Sequence, residues 1–251
     1  MTKMEVNMNH QATNNLGQPI GKALAEWLPC STAHQTTMDG YYCSVTPLIP
    51  ELHAYQLYQA FAEDLSGKNW TYMPYGPFCD ELEFREWLVE ACSAEDPFFY
   101  AIIDNQTAKA VGMASYLRIT PSVGVIEVGH IHFSPQLQKT PLATQAMFLM
   151  MQHAFDQLGY RRYEWKCDAL NQSSKSAAKR LGFSYEGTFR QATIYKGRNR
   201  DSAWFSVLDS EWPALKAAFI EWLQVKNFDA QGVQIKSLHA FLDKLAVARA
   251  L

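Results

Sequence analysis

No window of this 251-residue chain reaches the roughly 20 consecutive apolar residues needed to cross a bilayer, so a membrane-spanning role is not expected. Cysteine is sparse. The five residues Cys30, Cys43, Cys79, Cys92 and Cys167 form no CxxC pair and sit singly in apolar or strand-like surroundings. That suits buried free thiols in a reducing compartment and provides no disulfide framework. An excess of one charge sign is also lacking, since 22 Lys and Arg against 25 Asp and Glu leave a net charge of -3 and a pI of about 6.2. Apart from a loose run at Lys196, Arg198 and Arg200, nothing predicts nucleic-acid or membrane-surface binding. The polar, Asn-rich segment Met1 to Gln18 contains no apolar stretch of the secretory kind, which makes the cytoplasm the expected location.

Several catalytic signatures are missing as well. There is no GxSxG elbow for a hydrolase, no GxxxxGK[ST] for a nucleotide triphosphatase and no GxGxxG for a dinucleotide. What the chain does have is apolar bulk, 48% of residues with seven Trp, twelve Tyr and fourteen Phe, enough for a large core and for shaped pockets. Three parts are expected: an N-terminal extension over residues 1–39, a domain over 40–212, and a helical extension over 213–251 packed on that domain.

Within the domain, Tyr41 to Leu48, Phe98 to Ile103, Ala110 to Ile119 and Val125 to Phe133 read as strands, the last three as an antiparallel meander. Apolar residues at 143, 146, 147, 150, 151, 154, 155 and 158 then mark a long helix that Gly159 stops. Tyr163 to Cys167 returns as a strand, followed by a helix over 171–181 and by strands at Phe183 to Phe189 and Asp201 to Leu208. A helix between two strands implies a parallel, right-handed crossover there, so the sheet is mixed. The fold class is α/β (α+β), with a mostly antiparallel sheet of about seven strands flanked by helices.

Several positions carry possible chemistry. The junction Ser134 to Thr144 is a strand-to-helix turn whose free N–H groups, with Lys139, Thr140 and Thr144, suit a phosphate; equally, Thr140 and Pro141 suffice as an ordinary cap. Glu127, among the apolar Val125, Ile126 and Val128, is either exposed on an edge or turned into a cavity where it can act as a base. His130 and His132 share a face unless a bulge intervenes, but a zinc site wants a third protein ligand and no HExxH supplies one, so no metal is expected. Asn171, with Ser173, Ser174 and Lys175 in the first turn, is either an N-cap or a second polar rim of the same cleft. The loop with Trp70, Tyr72 and Tyr75 either plugs the core or walls a substrate.

The ordered set Glu127-Val-Gly-His130, Gln138 to Ala146, Ala154 to Gly159, Tyr163 to Asp168, Asn171 to Ser174, Arg180-Leu-Gly-Phe183, Glu186-Gly187 and Arg200-Asp201 resembles the GNAT superfamily of N-acetyltransferases, within it the RimJ/RimL-like ribosomal-protein branch. The resemblance implies acetyl-CoA in a V-shaped opening between the strands at 125–133 and 162–168, and an acetyl group moved to a primary amine on a small molecule, peptide or protein N-terminus. It implies cofactor contacts from Ile131, His132, Phe133, Gln138, Lys139, Thr140, Leu142, Ala143, Thr144, Asn171, Ser174 and Lys175. Glu127 matches the strand carboxylate that serves as base. Pro141 stands where the family prefers glycine, and Ala178 where many members carry a tyrosine acid, so Ser174 is the substitute candidate for protonating the leaving thiolate. Trp70, Tyr72, Tyr75 and His130 are expected on the acceptor side. The rival readings are a GNAT-like CoA-binding module without turnover and a metal-dependent hydrolase built on His130 and His132.

Overall fold

Alternating burial along the strands sets the centre of the molecule. The computed structural model describes residues 12–32 and 36–243, in which eight strands form one sheet in the order β1-β2-β3-β4-β5-β6-β8-β7. They are β1 (Met38–Asp39), β2 (Cys43–Pro47), β3 (Phe98–Asp104), β4 (Lys109–Thr120), β5 (Val125–Phe133), β6 (Arg162–Asp168), β7 (Ser184–Tyr195) and β8 (Arg198–Leu208). Neighbours are antiparallel except β5 and β6, which pair in parallel. The crossover between them is α3 (Pro141–Gln152), since parallel strands need a long connection. The strand beyond the expected seven is β1, whose two residues are too short to show alternation. β7 continues past Phe189 to Tyr195 because nearly all of it is exposed, leaving no burial period to betray its length.

Odd and even positions of the central strands feed two different cores. Tyr100, Ile102, Ala114, Tyr116, Ile126 and Val128 pack with α3 and with α5 (Trp212–Trp222). Phe99, Ala101 and Met113 face the other way, onto α1 (Pro50–Ala62) and α2 (Glu81–Ala91). Asp80 caps α2 by accepting from the Glu83 N–H at 2.9 Å. Thr140 does the same for α3 from Ala143 at 3.2 Å, with Pro141 at the position where a missing N–H costs least. After α3 a single π turn, His153–Gln157, leads to Gly159 at φ 77°.

The segments outside residues 40–212 are tied to the same body. Trp27 Nε1 donates to the Ser122 carbonyl at 2.9 Å, and the Cys30 N–H donates to the Pro121 carbonyl at 3.0 Å, so the extension lies against the start of β5. In α5, Trp212, Leu215, Ala218, Phe219 and Trp222 are buried in the larger core, as is Leu238 at the start of a following helix. Residues 1–11 and the end of that last helical pattern, with Leu245, lie outside the described residues.

Candidate active site

Parallel pairing between β5 and β6 runs only from Val125↔Arg162 to Val128↔Trp165. Beyond it β5 stays with β4 and β6 stays with β8, so the two strands diverge over Gly129–Phe133 and Lys166–Asp168. The divergence begins at a bulge, where Met113↔His132 and Ser115↔Gly129 leave one extra residue in β5. His130 takes up the strain at φ 49°, a region non-glycine residues enter rarely. Backbone groups on the β6 side of Gly129–Phe133 therefore have no strand partner, and a wedge-shaped opening results.

Two helix starts reach this opening from the face of α3. At the first, Lys139 adopts φ 63°, so the left-handed turn of the loop falls two residues before Pro141. Among the described residues the Lys139 and Thr140 N–H groups have no acceptor, while Gln138 Nε2 donates to the Phe133 carbonyl at 3.0 Å and closes the loop. Pro141 removes a donor the helix could not have used internally. The second start belongs to α4 (Gln172–Arg180), where Asn171 Oδ1 accepts from the Ser174 N–H at 3.0 Å. Ser174 Oγ in turn accepts from Trp165 Nε1 at 2.9 Å, and Lys175 Nζ donates to the Ala169 carbonyl at 3.2 Å. Unpaired N–H groups and the positive ends of two helices suit an extended phosphate-bearing thioester.

The opposite face of the sheet is charged. Glu127 is 3% exposed. Arg118 Nη1 donates to both its carboxylate oxygens at 2.8 Å, and Lys166 Nζ bridges Glu127 Oε2 and Glu164 Oε2, each at 2.8 Å. Arg162 continues the chain through Nε to Glu164 Oε1 at 2.6 Å and through its Nη groups to Glu186, whose carboxyl that guanidinium holds down at about 2. The Lys166 ammonium also lies 3.7 Å from the centroid of Trp204. Glu127 and Glu164 are register partners across β5 and β6, so two carboxylates meet in the sheet, and the lysine between them with an arginine on each makes that tolerable. Of the two placements open to Glu127, the structure selects the enclosed one.

The aromatic loop plugs the core at Trp70. Trp70 is buried and stacks on His132 at 3.7 Å between centroids, with Phe61 edge-on to the same imidazole at 4.4 Å. Burial pushes His132 down to about 3 and His130 to about 4, so both are neutral at physiological pH. Tyr75 Oη pairs with His130 Nδ1 at 2.9 Å, Tyr72 Oη donates to the Leu170 carbonyl at 3.3 Å, and Lys196 Nζ donates to the Trp70 carbonyl at 2.9 Å. The loop thus spans from α1 to the β7–β8 hairpin and roofs the charged face. Phe61 and Trp70 also line a cavity of about 370 Å³ with Tyr58, Phe78 and Phe84, but its lining includes none of the split residues.

Some expected placements are corrected. Thr144 is 1% exposed and its hydroxyl accepts from Arg180 Nη1 at 3.1 Å, so it fastens α4 to α3 instead of facing a phosphate. The His132 ring is enclosed on the α1 side, which leaves only its backbone to the split. Ala143 is 5% exposed and also offers no side chain to the opening. Glu127 and Ser174 lie on opposite faces of the sheet, because Ser174 packs on Trp165 in the larger core. Cys79 is exposed and Cys30 and Cys92 half-buried, so only two of the five free thiols are buried. Among the described residues no three His, Cys, Asp or Glu gather as a metal site, and no helix is long and apolar enough to cross a membrane. Sequence reasoning missed Arg118 and Lys166, which no motif marks; a positive residue two places along β6 from Glu164 was the available signal.

A mixed sheet that splits between two parallel strands, with helix N-termini at one side and a buried carboxylate at the other, defines an acyltransferase scaffold. Residues 46–184 match the family model described as Acetyltransferase (GNAT) domain, and the chain belongs to that family. Its fold is similar to a GCN5-related N-acetyltransferase from Brucella melitensis, at 44% identity and a TM-score of 0.86 over 88% of this chain and 100% of that one. A protein described as a probable GNAT-family acetyltransferase from Chromobacterium violaceum has 42% identity and a TM-score of 0.74, over 78% of this chain and 98% of that one. The ribosomal-protein-S5-alanine acetyltransferase of Vibrio fischeri shares the fold at 18% identity and a TM-score of 0.57, over 70% of this chain and 98% of that one. Among curated proteins nothing matches.

Proposed function

We propose that this acetyltransferase moves an acetyl group from acetyl-CoA to a primary amine by direct attack in a ternary complex, in the cytoplasm and without a metal. The observation that carries the reading is the split itself, with α3 and α4 starting on one face and Glu127 buried on the other. Acetyl-CoA supplies an acyl carbonyl with a good leaving group. Lys139, Thr140 and the start of α3 hold its phosphates, and Asn171, Ser174 and Lys175 line the path of its arm. N–H groups of Ile131 to Phe133 that face the split donate to the carbonyl oxygen where negative charge grows. Glu127 takes the proton of the amine through a water, since both its oxygens already accept from cations. Ser174 Oγ–H is the candidate proton donor to the departing sulfur, a modest demand because a thiol with pKa near ~8.5 leaves readily.

The acceptor reading extends to a protein N-terminus, as in the RimJ/RimL-like branch. Support comes from the order of motifs and from neighbours whose described acceptors are ribosomal proteins, a likeness that carries the fold alone. A thiol-release assay with acetyl-CoA against pooled amines and peptides tests the reading. Glu127→Gln is expected to lower kcat/KM by roughly 10²- to 10⁴-fold while acetyl-CoA affinity is kept. Wild-type kcat/KM in that variant at every pH removes Glu127 as base, and acetyl-CoA binding without turnover on any amine favours the non-catalytic module.

A further inference from the structure

Among the described residues, Arg200 on the charged face forms no ion pair. Strand β8 is regular from Arg198 to Leu208, so Arg200 shares the side of Ser202, Trp204 and Ser206, opposite to the buried Ala203, Phe205 and Val207. Asp168↔Ser202 is the last register pair between β6 and β8, and the Ala169 N–H then donates to the Asp201 carbonyl at 2.8 Å. Arg200 therefore stands just past the carboxyl end of β6, at the mouth of the split. Its Cζ lies 5.7 Å from the Tyr195 ring centroid, and the Tyr195 hydroxyl donates to Asp168 Oδ2 at 2.9 Å. Among the described residues the Arg200 side chain makes no ion pair, and its buried Nε has no acceptor.

A buried donor without a partner costs stability unless something outside the chain satisfies it. Each other cation turned toward this face is spoken for. Lys166 sits between two carboxylates, Lys196 donates to the Trp70 carbonyl, and Arg118 holds Glu127 through Nη1 alone while its side chain stays 61% exposed. The His130 imidazole, depressed first by burial, is depressed further by the positive charge of Arg118 and of Arg200 and raised by the negative charge of Asp96, whose carboxylate accepts from the Arg118 and Ile119 N–H groups. The aromatic loop closes this face from above.

We infer that Arg200 forms an anion subsite at the mouth of the split, so that the amine acceptor carries a compact acidic group, a carboxylate or a phosphate. This rests on the acetyl-transfer reading. The planar fork of Arg200 grips the acidic group and leaves the amine to reach toward Glu127. Neutral amines of the same size lack that grip and are acetylated poorly.

Matched acceptors test it: 4-aminobutyrate against butylamine, and O-phosphoethanolamine against ethanolamine, with wild type, Arg200→Ala and Arg200→Lys. In wild type the acidic member of at least one pair is favoured by roughly 10- to 100-fold in kcat/KM, the range of a charge-assisted hydrogen bond. Arg200→Ala abolishes the preference through KM, Arg200→Lys keeps part of it, and the neutral amine is unchanged in all three. Whichever pair shows the preference identifies the anion as carboxylate or phosphate. The subsite is overturned if wild type prefers neither acidic amine, or if Arg200→Ala lowers both members of a pair equally. It is also overturned if that variant weakens calorimetric acetyl-CoA binding by the same factor, which would assign the guanidinium to the cofactor. Should acetyl-CoA fail to bind at all, the transfer reading falls, and the subsite is then scored by calorimetric binding of the two acidic amines. Binding lost on Arg200→Ala upholds it, and no binding or equal binding in both proteins rejects it.

Discussion

The two faces of β5 and β6 are buried to the same degree and are chemically opposite. On the α3 side, Ile126, Val128, Tyr163 and Trp165 are each at most 5% exposed and belong to the larger apolar core, with the Trp165–Ser174 hydrogen bond as a polar contact. On the other side, Glu127 and Glu164 are just as deep at 3% and 6%, yet they belong to a chain of six alternating charges from Arg118 to Glu186. Burying charge is expensive, and an apolar layer of the same volume often gives equal or greater stability. The charged face is therefore poor as a device for folding and well suited to holding a carboxylate fixed and dry beside a reacting amine.

Substitutions that unbalance the two faces should separate them. The largest effect is expected from Lys166→Met, which removes the cation shared by Glu127 and Glu164, leaves each with one arginine, and should cost about 3–5 kcal/mol in urea unfolding. A loss under 1 kcal/mol would show the network to be solvated. On the apolar face Ile126→Val, a lost methylene at a fully buried site, should cost about 0.5–1.5 kcal/mol. Tyr163→Phe should move the other way by about 1 kcal/mol, because the Tyr163 hydroxyl is buried and, among the described residues, without a partner. If that change destabilises instead, a water fills the hydroxyl's need.

The histidines cost no stability at neutral pH and lower it in acid. With folded values of about 4 and about 3 against an ordinary 6.5, His130 and His132 stay neutral in the native state where the unfolded chain takes up protons. Stability from these groups is thus complete above pH 6.5 and declines as pH falls toward 4 and then 3. His132→Phe, which keeps a ring on Trp70, should flatten that decline in a pH series of urea midpoints. An unchanged slope would assign the acid sensitivity to the carboxylates.

The comparison also explains what a reader of the sequence can and cannot see. The helix from Pro141 and the strands on either side of it are legible, because apolar residues recur at a helical period, among them Met147, Met150 and Met151, although the helix is buried without a break from Ala143 to Met151. The Thr140 and Asn171 caps are legible for a similar reason, since a cap acts within four residues. The partners of Glu127 are not. Arg118 comes from the neighbouring antiparallel strand and Lys166 from the parallel one, and only the register joins them. The bulge is marked in the sequence only by Gly129, and the positive φ falls on the histidine after it. Pro141 looked like damage to a phosphate loop, yet the loop takes its left-handed residue at Lys139, so the proline meets no conformational demand it cannot satisfy.

The bond from Lys196 to the Trp70 carbonyl joins residues 126 apart in sequence, and the bond from Tyr72 to Leu170 joins residues 98 apart. Contacts at such separation form late, after local helices and hairpins have closed the shorter loops. A growing chain can complete the crossover through α3 and still lack the far anchor of its aromatic loop until the last hairpin emerges. Acetylation by this protein is then a property of the finished chain, and loss of the residues that form β7 and β8 should abolish it even where the earlier strands are made.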